Sequence, residues 1–480
     1  MTMENRGAAD GFDAVVVGAG PNGLVGAVAL AAAGRRVLLV EAASRVGGAM
    51  RSEELTLPGF IHDVGATVLP LALASPAFQS IALGPDEVRY THPTVPAAHP
   101  LDDKAVLVHR DIAQMDTELG DDGPAWRRLI GASARAGQPL VNALMSPLSP
   151  SQALRAAPAL VRYGLSGALP ATVVGRLAFR GQRARAAFAG MAAHSVLSLS
   201  QPITAGYGTF LAALAHSVGW PVVAGGTERL AEALAARLRQ LGGEIHTSRS
   251  IGDLRELPPA RTMLLDLTPR QVVAIASDRL PHWYRRRLAR FRYGAGVFKL
   301  DYALDAPMPW RDQRVLAAAT VHVGGTLDEI TAAELDVARG RHPSRPFVLC
   351  VQPTVADPSR APAGKHTLWA YCHVPNGSAV DMTTAVEDQI ERFAPGFRDR
   401  VLARHTFTPA ELHAYDANLV GGDLGGGAAD LRQFVARPIL SRHPWATPVP
   451  GLYLCSASTP PGGGVHGMGG WHAAQLALRD

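Results

Sequence analysis

Residues 12–41 read FDAVVVGAGPNGLVGAVALAAAGRRVLLVE, and the fold is decided in this stretch. Phe12 to Val17 is a short apolar run containing Val15, Val16 and Val17, the composition of a parallel strand buried on both faces. The turn Gly18-Ala19-Gly20-Pro21-Asn22-Gly23 follows at once, then an alanine-rich helical stretch from Leu24 to Ala33 that stops at Gly34. A second apolar run, Val37 to Val40, ends on Glu41. Strand, glycine turn, helix, strand and terminal acid make a complete βαβ unit with the G-x-G-x-x-G fingerprint in its required context. Gly18, Gly20 and Gly23 let the backbone approach a pyrophosphate and let the helix pack on the strand. The helix N-terminus at Pro21 and Asn22 offers N–H groups and a positive dipole end to phosphates. Glu41 is spaced to accept hydrogen bonds from ribose hydroxyls. The unit predicts dinucleotide binding and by itself does not separate NAD from FAD.

The next residues do separate them. Glu41-Ala42-Ala43-Ser44-Arg45-Val46-Gly47-Gly48 puts an arginine and a glycine pair just after the ribose acid, and Ala49-Met50-Arg51 continues the segment. Here the chain resembles the large flavoprotein family that includes phytoene desaturases and amine oxidases. The resemblance implies FAD, with Ala42, Arg45, Gly47, Gly48, Ala49, Met50 and Arg51 along its ribose, diphosphate and ribityl chain. Gly59-Phe60-Ile61-His62-Asp63-Val64-Gly65-Ala66 resembles the family's segment under the isoalloxazine, which implies contacts from Gly65 and Ala66.

The resemblance extends over nearly the whole chain. Gly225 to Leu230 opens a helix reaching Leu241, and Gly242-Gly243-Glu244-Ile245 starts a strand reaching Ile251. This is similar to the family's return to the FAD domain, with Ile251 near the adenine. Asp357 to Gly364 is similar to a phytoene desaturase loop. Residues 451–467, GLYLCSASTPPGGGVHG, resemble that group's C-terminal flavin motif: a strand, a glycine loop, then a helix from about Val465 whose N-terminus would stabilise charge at the flavin N1/O2 edge. The implied contacts are Ser456, Ala457, Gly464, Val465, His466 and Met468. Many relatives carry an acid where this chain has Ser456-Ala457, so a ribityl contact is reduced to at most a hydroxyl. Gly462 to Gly467 repeats G-x-G-x-x-G by letters, but only 13 residues follow, too few for another βαβ unit.

The expected fold is α/β, a Rossmann-like FAD-binding domain of the amine oxidase/phytoene desaturase type plus an α+β substrate domain. The FAD domain would be discontinuous, from 1–75, 222–285 and 440–480, and the substrate domain would take 76–221 and 286–439. In the latter, 110–216 is helical by period and broken at Pro139, Pro147, Pro150, Pro158 and Pro170, while 293–375 alternates as strands do.

Lys299 is the leading catalytic candidate. Gly296-Val297-Phe298-Lys299, with Pro309-Trp310 beyond, resembles the strand on which amine oxidase relatives carry a lysine that holds water at flavin N5. The chain has only three lysines, Lys104, Lys299 and Lys365, against 43 arginines, so a retained lysine points to a need for a compact ammonium. The plain alternative is an exposed strand lysine. His466, inside the flavin loop, is the second candidate; His62, His194, His322 and His373 read as ordinary histidines, and no metal-ligand spacing is present. A flavin takes a hydride from a C–H bond. Amine oxidases place an aromatic between the C-terminal glycines, where this chain has Gly464-Val465-His466. This favours a phytoene dehydrogenase-like desaturation of a small apolar substrate, with oxygen or a quinone as electron acceptor. Amine oxidation, a flavin-dependent isomerase or saturase, and a non-catalytic flavin-binding protein remain the alternatives.

Composition bounds the rest. The chain has 480 residues, 47% apolar and 18% charged, long enough for two domains. No apolar run is long enough for a spanning helix, and Met1 to Asp10 lacks the core of a secretory leader. Cys350, Cys372 and Cys455 form neither a disulfide framework nor a zinc pattern, which fits the cytoplasm. Residues 123–227 contain nine arginines and no acid. A solvated basic face explains this, as does peripheral contact with an anionic membrane. No nucleic-acid motif accompanies the arginines, and the oligomeric state is not legible.

Overall fold

The computed structural model describes residues 11–147, 150–276 and 278–480. Five parallel strands lie in the order Leu452–Leu454, Thr262–Leu265, Ala14–Val17, Val37–Val40 and Glu244–His246. The central strands are valine- and leucine-rich and fully buried, as a sheet covered on both faces requires. The helix Pro21–Ala32 starts with proline at its first position, where no N–H is needed. It packs against the C-terminal helix Met468–Ala477 at backbone distance: a Cβ at Gly470 would stand 1.8 Å from the Asn22 carbonyl oxygen. The two ends of the chain thus close one site between them.

The second sheet has seven strands, ordered Val401–Phe407, Gly296–Leu304, His366–Val374, Val348–Val351, Ala318–Val323, Val95–His99 and Val106–Val108. It is wider than the expected 293–375 segment. Of the added strands, Val106–Val108 is short and Val95–His99 runs Val-Pro-Ala-Ala-His, without the alternation that announces a strand, while Val401–Phe407 is a seven-residue strand at the sheet edge. Register places Lys299, Asp301, Tyr371, Trp369, Leu349, Val351, Thr320 and His322 on one face, because directly paired residues share a side. Phe298, Leu300 and Tyr302 fill an apolar core on the other. The helices Gly123–Met145, Ala171–Ala178, Gln182–Ala193 and Thr204–Ser217 pack over the first face.

Some expectations shift. Pro139 does not end its helix: Gly123–Met145 runs through it, and the break falls at Gly137, whose φ is 50° and ψ −130°. The strand expected up to Ile251 is only Glu244–His246. The last helix begins at Met468 rather than Val465, because Gly464 and Gly467 have φ of 121° and 66° and cannot belong to its first turn. The arginine-rich block is partly neutralised from outside itself: Arg127, Arg176 and Arg183 pair with Asp116, Asp328 and Glu118 at 3.0, 2.6 and 2.7 Å. Among the described residues no helix is long and apolar enough to cross a membrane, and no cluster of His, Cys, Asp or Glu could hold a metal.

Candidate cofactor and substrate site

A cavity of about 1270 Å³ runs from the glycine turn to the second sheet. At one end it is walled by Gly18, Gly20, Pro21, Asn22, Glu41, Ala42 and Ile251. It continues past Gly48, Ala49, Arg51, Gly65 and Ala66 and along Ser456, Ala457, Gly464, Val465 and His466. Its far end meets Thr320, Leu349, Val351, Trp369 and Tyr371 of the sheet, with Phe210 and Leu211 of the helical cover. Most residues expected around a dinucleotide are therefore brought to one wall, from both ends of the chain.

Gly23, Arg45, Gly47, Met50 and Met468 do not line the cavity. Gly23 packs the helix onto the turn, and a Cβ there would stand 2.0 Å from the Gly18 carbonyl oxygen. Arg45 is exposed and bridges Glu53 and Glu228 at 2.6 and 2.9 Å, so it ties two segments together outside the site. Gly47 donates its N–H to the Ala19 carbonyl, and Met50 and Met468 are core side chains.

The dinucleotide end holds two acids. Glu41 accepts from the Ala19 N–H at 2.7 Å and from the Ala43 N–H at 2.8 Å, so its first task is to shape the turn. Asp266, missed in the sequence, accepts from the Gly23 N–H at 2.8 Å and lies against Gly20. Its signal was available: it directly follows the buried strand Thr262–Leu265, at the carboxyl edge where open α/β sheets bind ligands. Burial pushes the Asp266 carboxyl up to about 8; Asp416 and Glu41 add to the rise, and the Gly23 and Gly20 amides oppose it. The folded chain therefore binds a proton that the unfolded chain has lost above about pH 4, so Asp266 erodes stability as pH climbs from about 4 to 8. Asp266→Asn keeps an acceptor for Gly23 without the charge. Its stability advantage over the parent should grow between pH 5 and pH 8, read from denaturant midpoints. An advantage that stays constant with pH would contradict the assignment.

Lys299 stands on the cavity face of the second sheet but is fully enclosed there. Lys299 and Asp301 are both 0% exposed, their side chains are paired, and Lys299 does not line the cavity. The ammonium lies 5.6 Å from the Trp369 ring and 5.5 Å from the Phe407 ring, enclosed on the same sheet face as the cavity-lining Trp369 and Tyr371. Burial lowers the Lys299 affinity for its proton and raises the Asp301 carboxyl to about 6, each opposed by the other's charge. His62 Nδ1 stands 3.6 Å from Asp301, and burial brings His62 down to about 3, so it is neutral. Alternation in the strand puts residues 299 and 301 on one face, so the pair was legible.

His466 does line the cavity, but both ring nitrogens are engaged. Its Nδ1 accepts from the Met468 N–H at 3.1 Å, and Nε2 donates to the Gly462 carbonyl at 3.1 Å. Burial lowers it to about 4. It shapes the glycine loop and has no free nitrogen for acid–base work.

Two further buried cations escaped the sequence reading. Arg360 pairs with Asp63, and Asp63 also accepts from Ser52 Oγ at 2.6 Å and the Thr227 N–H at 2.9 Å. That network fastens the 357–364 loop to the segments at 52–63 and 225–227. Arg437 lines the cavity and donates to the carbonyls of Gly425, Gly427, Ala428 and Ala457, binding the two glycine loops together.

With this geometry in view, residues 16–81 match the family of NAD(P)-binding Rossmann-like domains. The chain is 26% identical to pyridine nucleotide-disulfide oxidoreductase domain-containing protein 2 of Rattus norvegicus, covering 98% of this chain and 94% of that protein. It is 27% identical to a lycopene-forming phytoene desaturase of Pseudescherichia vulneris, covering 95% and 96%. A solved structure of a redesigned putrescine oxidase superposes with a TM-score of 0.61 at 16% identity, over 98% of this chain and 99% of that one, a likeness of fold.

Proposed function

We propose that this chain, similar over nearly its whole length to phytoene desaturases, is an FAD-dependent dehydrogenase that introduces a double bond into a largely apolar substrate. The residues present fit FAD. A side-chain-free turn at Gly18 and Gly20 faces the cavity at the carboxyl edge of the parallel sheet, with Glu41 at the end of the next strand. The cavity then continues past Arg51 to the Ser456–His466 loop, as a cofactor of two nucleotide halves requires. Bound there, FAD supplies a two-electron acceptor for hydride taken from a substrate C–H bond. The chain itself supplies position and dryness: Leu349, Val351, Phe210 and Leu211 form a wall that excludes water and holds the substrate.

One observation carries the choice of substrate. The acids lining the cavity are Glu41, Asp266, Asp416 and Asp423, and none belongs to the sheet wall. Asp423 is occupied by the N–H groups of Gly294, Gly425 and Gly427. A substrate ammonium at the sheet would be buried without a counter-ion, which is costly. The test is to denature purified protein and identify the released cofactor, then to mix intact protein anaerobically with isoprenoids and with amines while following flavin absorbance. Released FAD and bleaching by isoprenoids are expected. Release of NAD or FMN, or bleaching by amines alone, overturns the reading.

A further inference from the structure

Residues at the sheet end of the cavity carry buried polar atoms that the chain leaves unused. Ser195 Oγ, Thr320 Oγ1 and Trp369 Nε1 have no hydrogen-bond partner among the described residues, although these residues are only 2%, 1% and 4% exposed. All three residues line the cavity, as do His194 and Tyr371. Register groups them: Thr320 lies opposite Val351, Val351 opposite Trp369, and the next row is His322, Leu349 and Tyr371. His194 joins that row through a 2.9 Å contact between its Nε2 and that of His322. Buried donors and acceptors are almost always paired, so several unpaired ones on one wall call for an external partner.

The backbone makes an independent observation. His194 and Ser195 stand on the connection between helices Gln182–Ala193 and Thr204–Ser217. Val196 and Ile203 on that connection have φ of 54° and 67°, and both line the cavity. A β-branched residue in the left-handed region is strained, and such strain gathers at ligand sites, where the surrounding structure enforces it.

We propose that the substrate is an apolar chain bearing one neutral oxygen function, a hydroxyl, carbonyl or ester, which small side-chain rotations bring into hydrogen bonding with Ser195, Thr320 and Trp369 beside His194. The proposal rests on the reading that an apolar chain is oxidised here, and it narrows that reading from hydrocarbons to oxygenated chains. Trp369 Nε1 only donates, so the group must accept. The hydroxyls of Ser195 and Thr320 serve either an ether-like or a hydroxyl oxygen. The group is uncharged because no cation faces it. The arginines lining the cavity are Arg51, Arg249 and Arg437, all on the cofactor side, and Lys299 is enclosed and paired with Asp301. His194 is neutral, brought down to about 3 by burial, with His373 adding to the effect.

The test uses the holoprotein and matched pairs of ligands: isoprenoid and straight-chain alcohols of graded length, each against its parent hydrocarbon and its carboxylic acid. Binding is read by calorimetry, and flavin bleaching is followed separately in anaerobic mixtures. At the best length the alcohol should bind about tenfold tighter than the hydrocarbon, as one added hydrogen bond gives. Thr320→Val and Ser195→Ala remove the polar atom with little change of packing shape. Each should lower alcohol affinity several-fold and leave hydrocarbon affinity unchanged. No preference for the oxygenated member at any length overturns the proposal, as does an equal loss for both ligands in the variants. Tighter binding of the acid overturns its neutral character. A preference for alcohols with no bleaching by any ligand overturns the dehydrogenase reading alone. Bleaching by hydrocarbons with no preference overturns the oxygen site alone.

Discussion

Lys299→Met should destabilise the chain by about 3–5 kcal/mol, the usual cost of removing one partner of a buried ion pair. Methionine matches the length of lysine, so packing against Trp369 and Phe407 is retained and the loss falls on Asp301. That carboxyl is 0% exposed and would have no cation beside it. It already sits raised to about 6 by burial against the pull of Lys299. Without the lysine it rises further, so the folded variant must take up a proton, and its deficit should be larger at pH 8 than at pH 5. Lys299→Met/Asp301→Leu replaces the pair by apolar groups and should recover most of the stability. Denaturant unfolding at the two pH values measures all of this. Lys365→Met is the control: Lys365 lies in the turn after Pro362, and its loss should stay within about 0.5 kcal/mol of the parent. A single variant at Lys299 as stable as that control, with turnover lost, would restore the catalytic role that the resemblance implies.

Gly20→Val should leave the purified protein without FAD. A Cβ at Gly20 would lie 2.7 Å from Asp266 Oδ2, and Gly20 lines the cavity where the backbone must approach a pyrophosphate. Inserting methyl groups into a packed site costs about 1–3 kcal/mol, and the clash with Asp266 takes this from the stability of the fold. The loss of FAD comes from the side chain that then blocks the backbone's approach to the phosphates. Cofactor content after gel filtration, and titration of stripped protein with FAD, measure it. Glu41→Ala is expected to weaken binding less directly, by freeing the Ala19 and Ala43 amides that shape the turn. Full FAD content in Gly20→Val would remove the glycine turn from the cofactor site.

The cofactor half of the molecule was legible because its information is local. A strand, three glycines, a helix and an acid within residues 12–41 dictate a βαβ unit through backbone sterics and burial, while the 451–467 loop is placed by its resemblance to a flavoprotein motif. Gly18, Gly20, Glu41, Ala457 and Val465 fell on the cavity wall without any knowledge of the tertiary fold. Lys299 shows where local reading stops. Its strand was correct, and Asp301 two residues on was visible, but whether the pair opened into the cavity or was enclosed beside it depended on what packs over the sheet. The Arg360–Asp63 pair joins residues 297 apart, and the His194–His322 contact spans 128. Buried charge and hydrogen-bond partnerships of that separation are chosen by tertiary packing, which removes water from both groups at once. The sequence by itself determined a dinucleotide-binding βαβ unit, because backbone geometry and periodicity act over neighbouring residues, and its resemblance to a flavoprotein family implied the oxidoreductase. The tertiary structure alone decided that Lys299 is a buried ion-pair partner, that Asp266 sits under the glycine turn, and that residues with unpaired polar atoms line the far end of the cavity.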